Sequence, residues 1–346
     1  MDVPTHRYDA ELPEIPHVDV TDGGVVALAD AVPDRFQAII SAGRNHYGTM
    51  AMAIGNELSR RWLKRNANSY LAEIDDTAAR AGMLGAHLLN MSYEWSCTSS
   101  VAPNPTGEGL QLLRTLDWPL DGLGRNVVAA RMAGAAGDYE NVTWPGFSGI
   151  CTAMAPGRFA AAINQPPMHK WTRLCWFDWI INRGRLWRSR ELPPMHLLRQ
   201  VFDRCNTYAE AKDELTNTTL AMPAFFTLVG INVGEGCVIE RTENEAYVRE
   251  NPASVTNHWV GCRQPGRYRG FDSEGRYAQM EATRNTAAAT SPFDWVTLPI
   301  LNPTTRLAVV ANPKNGRLAV QGWESDGPVT AVFELSACAK PGLAHH

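Results

Sequence analysis

The sequence changes character at residues 91–102, which read Met91-Ser92-Tyr93-Glu94-Trp95-Ser96-Cys97-Thr98-Ser99-Ser100-Val101-Ala102. Before this stretch, Ile54, Leu58 and Trp62 recur at four-residue spacing, which predicts helix. After it, short apolar or alternating runs stand between turn signals, which is typical of strands. Cys97 therefore begins the first predicted strand, at the junction of a helical and a β-rich part. By itself, a single cysteine is more often a small buried apolar residue.

The composition is that of a globular protein. The chain has 346 residues, of which 45% are hydrophobic and 20% charged. Its net charge of −4 gives no indication of a nucleic-acid or anionic-membrane partner. The amino terminus lacks the apolar core of a signal peptide. We therefore expect a cytoplasmic protein, unless a signal has been removed.

Cysteine, histidine and glycine spacing predicts no metal ion and no nucleotide cofactor. The seven cysteines are scattered and odd in number, which favours a reducing compartment over a disulfide framework. The histidines show no spacing suited to zinc. The glycine-rich stretches match neither a dinucleotide fingerprint nor a P-loop.

Along the chain, the pattern predicts an extended arm over residues 1–33 and helices from there to residue 91. Strands in hairpins follow, interrupted by a helical insertion over residues 168–220. A helix over residues 272–289 precedes three final strands. Strands in hairpins with helices between them indicate two antiparallel sheets with helices packed outside.

Several motifs occur in an order that identifies a family. Cys97-Thr98-Ser99 is followed, after a turn at residues 104–107, by Arg114-Thr115-Leu116-Asp117. Further matches lie at residues 143–165, 223–226 and 234–241, and at Thr256-Asn257. The chain resembles the acid ceramidase and N-acylethanolamine acid amidase branch of the N-terminal-nucleophile hydrolases. It is more distantly similar to the choloylglycine hydrolases and penicillin V acylases.

The resemblance implies an α+β fold, a four-layer αββα sandwich, preceded here by an α-helical amino-terminal segment. It also implies an inactive precursor that cuts itself before Cys97. The products are an α-chain of residues 1–96 and a catalytic β-chain of residues 97–346. We expect the two chains to stay associated, because the apolar face of the α-chain has no other place to be buried.

Within this family pattern, Cys97 is the nucleophile and its own α-amine, freed by cleavage, moves the proton. Arg114 beside the thiol is expected to lower its pKa, and Asp117 is expected to orient the α-amine. The alternative for this pair is a surface Arg–Asp pair flanking a strand. The spacing of the pair from Cys97 favours the functional interpretation.

Three more residues complete the expected site. Asn257 corresponds to the family asparagine whose amide helps to form the oxyanion hole, and Asn164 resembles a second contributor. Arg276 resembles a late arginine that steadies the nucleophile strand. The alternatives are turn residues ending a strand for the asparagines and a surface helix residue for the arginine. Gln165 stands where acid ceramidase has Glu, which removes a carboxylate from the site.

These residues predict an amidohydrolase that cleaves a small-molecule N-acyl amide, such as an N-acylethanolamine or a ceramide-like lipid, through a cysteine thioester without any cofactor. The alternatives are an acyltransferase, a penicillin or bile-acid type acylase, or a non-catalytic relative that binds an acyl ligand. The tryptophan-rich run at residues 171–187 is expected either to contact lipid or a partner chain, or to be a core helix with a basic outer face.

Overall fold

The computed structural model describes residues 12–82, 84–107 and 109–336. The helices in these residues are α1 (Gly24–Ala31), α2 (Pro33–Tyr47), α3 (Thr49–Arg65), α4 (Leu71–Ala81), α5 (Ala86–Asn90), α6 (Cys175–Arg188), α7 (Pro194–Arg204), α8 (Tyr208–Asn217) and α9 (Ser273–Thr283). Five of them precede Cys97 and four follow it.

The strands that build the first half of the sheets are β1 (His17–Asp19), β2 (Ser96–Pro103), β3 (Leu110–Asp117), β4 (Val128–Gly134), β5 (Gly137–Thr143), β6 (Thr152–Ala155), β7 (Phe159–Asn164) and β8 (Met168–His169). The later strands are β9 (Ala224–Gly230), β10 (Gly236–Arg241), β11 (Ala246–Glu250), β12 (Ala253–Val255), β13 (Gly266–Arg267), β14 (Thr305–Asn312), β15 (Arg317–Glu324), β16 (Gly327–Pro328) and β17 (Phe333–Leu335).

Two large sheets form the centre of the molecule. The first has the order β1-β4-β5-β6-β7-β9-β10-β11, and the second has the order β12-β2-β3-β14-β15-β16 with β17 also paired to β15. All neighbours are antiparallel except β1 and β4. Cys97 lies on β2, an inner strand of the second sheet, where it pairs with Leu116 of β3, while β12 pairs with residues 99–101 of β2.

The layers follow from which faces are apolar. The main core lies between the two sheets and includes Leu112, Leu116 and Phe226. A second core covers the outer face of the second sheet, where Met280 of α9 packs with Leu113 and Val310. Helices α7 and α8 contact the outer face of the first sheet. The predicted four-layer αββα sandwich is confirmed.

Helix α9 begins where the local sequence supplies a cap. The carboxylate of Asp272 accepts a hydrogen bond from the backbone N–H of Gly275 at 3.0 Å, which satisfies one of the free amides of the first turn. The helix ends at Thr283, although the pattern predicted helix to residue 289. This placement of the first turn puts Arg276 over the start of β2, where it matters for the site.

The amino-terminal part is helical but does not form a separate layer. Its strand β1 joins the edge of the first sheet, parallel to β4. The prediction of an extended arm is wrong for Gly24–Ala31, which form α1, because Val25 and Leu28 bury one face against the core. Residues 1–11 lie outside the described residues.

Helices α3 and α6 depart from the predicted burial. On α3, Met50, Ile54 and Leu58 are 75%, 56% and 47% exposed, although their spacing predicted a buried face. On α6, only Asp178 is buried, so the interpretation as a core helix is wrong. The two helices adjoin, since Trp62 on α3 donates its indole N–H to the carbonyl oxygen of Leu186 at 2.9 Å.

Candidate active site

The β2–β3 hairpin places Arg114 beside the thiol of Cys97. Cys97 pairs with Leu116, and Ser99 pairs with Arg114. Because side chains alternate across a strand, Cys97, Ser99 and Arg114 project from the same face, into the space between the sheets. Arg114 Nη2 donates to Cys97 Sγ at 3.3 Å, and Arg114 Nη1 donates to the carbonyl oxygen of Ile163 at 2.7 Å.

The surroundings of Cys97 raise the pKa of its thiol. Burial raises its pKa to about 11, and the charge of Arg114 opposes that rise without overcoming it. The charge of Asp117 adds to the rise, while that of Arg276 counters it. The charge of Arg114 therefore lowers the pKa of the thiol, as expected, but burial of Cys97 raises that pKa by more.

Asn257 holds the backbone nitrogen of Cys97. Its Oδ1 accepts a hydrogen bond from that N–H at 2.9 Å, and it accepts another from Arg276 Nη2 at 2.8 Å. Its Nδ2 donates to the carbonyl oxygen of Gln165 at 2.7 Å. An amide group has two donor hydrogens. In the described part of the chain, the second hydrogen of Asn257 has no partner.

Asn164 orients the guanidinium of Arg114. It ends β7 of the facing sheet, and its Oδ1 accepts from Arg114 Nη1 at 3.2 Å and from Ser99 Oγ at 2.7 Å. Its Nδ2 donates to the carbonyl oxygens of residues 255 and 256, at 3.2 Å each. Both of its donor hydrogens are therefore in use, which favours a positioning role over donation to an oxyanion.

Arg276 reaches the start of β2 from α9 and is fully buried. Its Nη1 donates to the backbone oxygen of Cys97 at 2.7 Å and to Thr98 Oγ1 at 3.1 Å. A surface position on the helix is thus excluded for this side chain. The contact with the strand backbone is the one that the family resemblance implies.

Asp117 lies at the end of β3, on the opposite face of the strand from Arg114. It pairs with Ser96, whose Oγ donates to Asp117 Oδ2 at 3.5 Å, and Arg276 Nη1 lies 3.6 Å from the same oxygen. Burial raises the pKa of Asp117, and the charge of Arg276 opposes that rise. The carboxyl group therefore contacts the Ser96 hydroxyl and Arg276 rather than the thiol.

Sequence reasoning missed three residues that support this arrangement. Asn302 Nδ2 and Thr305 Oγ1 donate to the two oxygens of Asp117, each at 3.0 Å. Ser273 Oγ accepts the backbone N–H of Asn257 at 2.9 Å. The segment containing Asn302 and Thr305 reads as an ordinary turn before a strand. Only the pairing of β14 with β3 brings it to the site.

A large groove of about 1230 Å³ lies beside this cluster. Tyr93, Glu94 and Gln165 form part of its wall, whereas Cys97 is fully buried behind them. The side-chain amide of Gln165 is buried, and neither its oxygen nor its nitrogen has a hydrogen-bond partner in the described residues. The segment before Cys97 therefore separates the thiol from the groove.

Gly270 covers the bond between Ser96 and Cys97. A Cβ atom built on this glycine would lie 2.1 Å from Ser96 Oγ and 3.5 Å from Arg276 Nη2. Its φ of 67° is also in the left-handed region that favours glycine. The loop at residues 268–271 thus lies directly against the predicted cleavage point.

Among the described residues, no cluster of His, Cys, Asp or Glu side chains has the arrangement needed to hold a metal ion. In the same residues, every helix is too short or too polar to cross a lipid bilayer.

Comparisons with known proteins show partial similarity in sequence and a shared fold. No family model matches the chain. Over 109 residues, or 31% of the chain, it is 32% identical to acid ceramidase of Pan troglodytes, a match that covers 26% of that relative. Over 166 residues, or 47% of the chain, it is 26% identical to the N-acylethanolamine-hydrolyzing acid amidase of Caenorhabditis elegans, covering 44% of that relative. These matches span less than half the length of the curated relatives.

The fold is shared with a solved structure of the N-acylethanolamine-hydrolyzing acid amidase ortholog from Caenorhabditis elegans. The superposition has a TM-score of 0.50 at 20% sequence identity, and it covers 69% of this chain and all of the other chain. The chain is therefore similar in part of its sequence to acid ceramidase and to N-acylethanolamine-hydrolyzing acid amidase, and it shares the fold of the latter.

Proposed function

We propose that this chain is a cysteine amidohydrolase that cuts itself between Ser96 and Cys97 and then hydrolyses a linear N-acyl amide. The observation that carries the proposal is the pair of contacts on one residue. Arg114 donates to the sulfur of Cys97, and Asn257 accepts from its backbone nitrogen. The nitrogen that cleavage frees as an amine is therefore already held in place next to the nucleophile.

In the self-cleavage step, the thiol of Cys97 attacks the carbonyl carbon of Ser96. The acyl group moves from the backbone nitrogen to sulfur, and that nitrogen takes up a proton to become an amine. Water then hydrolyses the thioester and releases residues 1–96 with a new carboxylate. Arg276 and Asn257 hold the oxygen and nitrogen of Cys97 during this exchange.

In turnover, the freed α-amine takes the thiol proton, since its reference pKa lies near 8. The thiolate attacks the substrate carbonyl, the amine product leaves with a proton, and water hydrolyses the acyl-thioester. The remaining N–H of Asn257 is the candidate donor to the tetrahedral oxyanion. Such a donor is typically worth about 3–4 kcal/mol of barrier.

The same cut explains how a sealed thiol becomes accessible. Tyr93 and Glu94 line the groove in front of Cys97. After cleavage, they lie three and two residues before the new carboxyl terminus at Ser96. A free carboxyl terminus can move away from Cys97, whereas residues that continue into β2 cannot. Withdrawal would connect the groove to the sulfur and remove the burial that raises its pKa.

The contacts between the two parts support their lasting association. Strand β1 pairs with β4. Arg199 on α7 makes a two-pronged ion pair with Glu73 on α4, at 2.7 and 3.0 Å. Asn68 Nδ2 and His196 Nδ1 lie 2.9 Å apart in the same buried interface. Residues 1–96 and 97–346 are thus proposed to remain one particle after cleavage.

A peripheral contact with lipid is supported by the exposed apolar faces of α3 and α6. Trp176, Phe177 and Ile180 on α6 point to solvent, and Trp179 lines the groove. Aromatic side chains on an exposed helix face are suited to the interface of a bilayer. Flotation with phosphatidylcholine vesicles tests this. The double variant Trp176→Ser with Phe177→Ser should bind less, while Val233→Ser, altering an exposed residue elsewhere, should bind as wild type does.

A reducing compartment such as the cytoplasm also remains our proposal. Six cysteines in the described residues are free, which supports it.

Denaturing mass spectrometry tests the central proposal. Wild-type protein should yield a fragment that begins at Cys97 and ends at His346, and Cys97→Ala should stay whole. Cys151→Ala is the matched control, because it removes another buried thiol but should still be cut. Wild-type protein that stays whole at acidic and neutral pH would contradict self-cleavage. Adding a competing amine to a labelled acyl amide then separates hydrolysis from acyl transfer.

A further inference from the structure

The groove beside Cys97 has a basic wall. The arginines that line it are Arg183, Arg185, Arg188, Arg190, Arg267 and Arg269. Arg267 is neutralised by Asp178 at 2.6 Å, and Arg185 lies 3.6 Å from Glu243. In the described residues, no carboxylate forms an ion pair with Arg183 or Arg269.

Arg269 is the most unusual of these arginines. Its Nη1 donates to the carbonyl oxygen of Tyr93 over a long 3.4 Å, and its buried Nε has no partner in the described part of the chain. Burial, together with the nearby charge of Arg183, lowers the pKa of Arg269 to about 10. Glu94 counters this effect only in part.

A buried guanidinium group without an ion-pair partner is a strong binding site for an anion. Desolvation without a partner is costly for a charged group. A carboxylate that accepts hydrogen bonds from the guanidinium removes that cost and adds charge-assisted bonds. The nearby charge of Arg183 strengthens the attraction for one anion. A neutral ligand would leave Arg269 with only the partial compensation from Glu94.

The position of Arg269 limits where the anion can be on a substrate. The next residue, Gly270, packs against Ser96 at the cleavage point, and Tyr93 is four residues before the nucleophile. An anion bound here lies close to the reacting carbonyl. In an N-acyl amino acid, the carboxylate is one carbon away from the amide nitrogen. A carboxylate at the far end of an acyl chain would lie many bonds away.

The rest of the groove suits an apolar chain. Trp171, Trp179, Leu186, Met222 and Trp259 all contribute to its lining. They offer apolar and aromatic surface to a linear acyl group, at about 25 cal/mol per Å² buried. The groove therefore combines one anion site near the nucleophile with an apolar path leading away from it.

We propose that Arg269 and Arg183 bind the carboxylate of the leaving amine, so that the preferred substrates are linear N-acyl amino acids rather than neutral N-acyl amides. This rests on the proposed amidohydrolase function. The carbon–nitrogen bond breaks, the acyl group passes to the sulfur of Cys97, and water completes the hydrolysis. The products are a fatty acid and a free amino acid, with no co-reactant besides water.

The test compares N-dodecanoylglycine with N-dodecanoylethanolamine, which differ only in a carboxylate against a hydroxymethyl group. For the self-cleaved wild type, kcat/KM should be at least tenfold higher for the glycine conjugate. Arg269→Gln and Arg183→Gln should each lower that ratio at least tenfold, mainly through KM. Arg269→Lys should restore part of it. Arg263→Gln, on the loop that precedes β13 and outside the groove lining, should keep it.

Mass spectrometry of each variant confirms that the fragment starting at Cys97 has formed, so a lost ratio reflects recognition and not failed folding. A wild type that hydrolyses the ethanolamide better overturns this inference alone and leaves the amidohydrolase function standing. The same holds if Arg269→Gln keeps the wild-type ratio. Preference for the monoethanolamide of dodecanedioic acid overturns the assignment to the amine side. Hydrolysis of none of these amides by fully cleaved protein overturns the proposed function, and this inference with it.

Discussion

The side-chain oxygen of Asn257 lies 2.9 Å from the backbone nitrogen of Cys97 and accepts its hydrogen bond. This contact joins the segment that follows β12 to the start of β2, and Arg276 donates a hydrogen bond to the same oxygen. A single asparagine therefore connects the nitrogen of the cleavage point, the arginine of α9 and the rim of the groove through Gln165.

Replacing Asn257 tests this connection directly. Asn257→Ala removes the acceptor for the Cys97 amide and the candidate oxyanion donor together. We expect self-cleavage to slow about 10²-fold or more, in line with the loss of one oxyanion donor. A time course of fragment formation by mass spectrometry measures it. Asn217→Ala on the exposed face of α8 is the control, and equal rates for the two variants would contradict the assigned role.

Arg114 should not be replaceable by lysine. Its guanidinium reaches the Cys97 sulfur, the Ile163 carbonyl and Asn164 at once, and one ammonium cannot reproduce this planar set. In a Cys97→Ala background, where no cleavage occurs, Arg114→Lys should lose about 2–4 kcal/mol of unfolding free energy through buried unpaired groups. Urea titration measures the loss. A lysine variant as stable as its parent would show that the network is dispensable.

The partners of Asp117 should set the pH dependence of amide hydrolysis by the self-cleaved protein. Asn302 and Thr305 stabilise its carboxylate, so Asn302→Ala should raise a pKa that burial already raises. Because orienting the freed α-amine of Cys97 needs the ionised form, the midpoint of the pH profile of hydrolysis should move to higher pH, by about one unit. Thr305→Val should shift it in the same direction. A midpoint that moves to lower pH, or stays, would exclude Asp117 as the titrating group.

The pH dependence of the unfolding free energy should also depend on the carboxyl group of Asp117. The pKa of Asp117 is higher in the folded protein than in the unfolded chain. The protonated carboxyl group therefore adds to the unfolding free energy below the unfolded-state pKa, and this contribution is lost as the pH rises through the folded-state pKa. In a Cys97→Ala background, Asp117→Asn should remove this loss. The stability gained by the variant should therefore increase from about pH 4 upward. Guanidinium titrations across pH 4–8 measure it, and a constant difference would contradict the raised pKa.

Gln165→Glu should introduce a pH-dependent cost. The Gln165 amide is buried with neither atom bonded in the described residues, so a carboxylate there would be desolvated and its pKa raised. The variant should match wild type near pH 4 and become about 1–3 kcal/mol less stable at pH 7. Thermal unfolding at both pH values compares them. Equal stability at pH 7 would mean that the site offers the carboxylate an unrecognised donor.

The ion pair of Arg199 with Glu73 should hold the cleaved chains together. Glu73→Gln removes the two-pronged carboxylate of a buried guanidinium and leaves it the longer ion pair with Asp203 at 3.7 Å, which should cost about 1–3 kcal/mol. After self-cleavage, residues 1–96 should dissociate at a lower urea concentration than in wild type, as size-exclusion chromatography would reveal. Asp30→Asn, which breaks an exposed pair with Arg80, should have little effect. If residues 1–96 dissociate from both variants at the same urea concentration, contacts other than the Arg199–Glu73 ion pair hold the two chains together.

Local patterns were sufficient for the hairpins. The alternation of β2 and β3 and the turn at residues 104–107 predict the pairing that brings Arg114 next to Cys97. The same patterns failed for α3 and α6, because spacing shows that a helix has an apolar face but not that anything covers it. They also failed for α1, whose helical period is too short to detect beside glycines.

What the sequence by itself determined is which residues are candidates for the site. The proposed nucleophile Cys97, Arg114, Asp117 and two asparagines all carry motifs, and their order along the chain predicted the fold that unites them. Only the tertiary structure decided their protonation and their partners. Burial of Cys97 raises its pKa to about 11 despite Arg114. Asn302, Thr305 and Arg269 reach the site from segments without a motif. The reason is physical: desolvation and contacts across sheets depend on what lies nearby in space, which spacing along one chain does not encode.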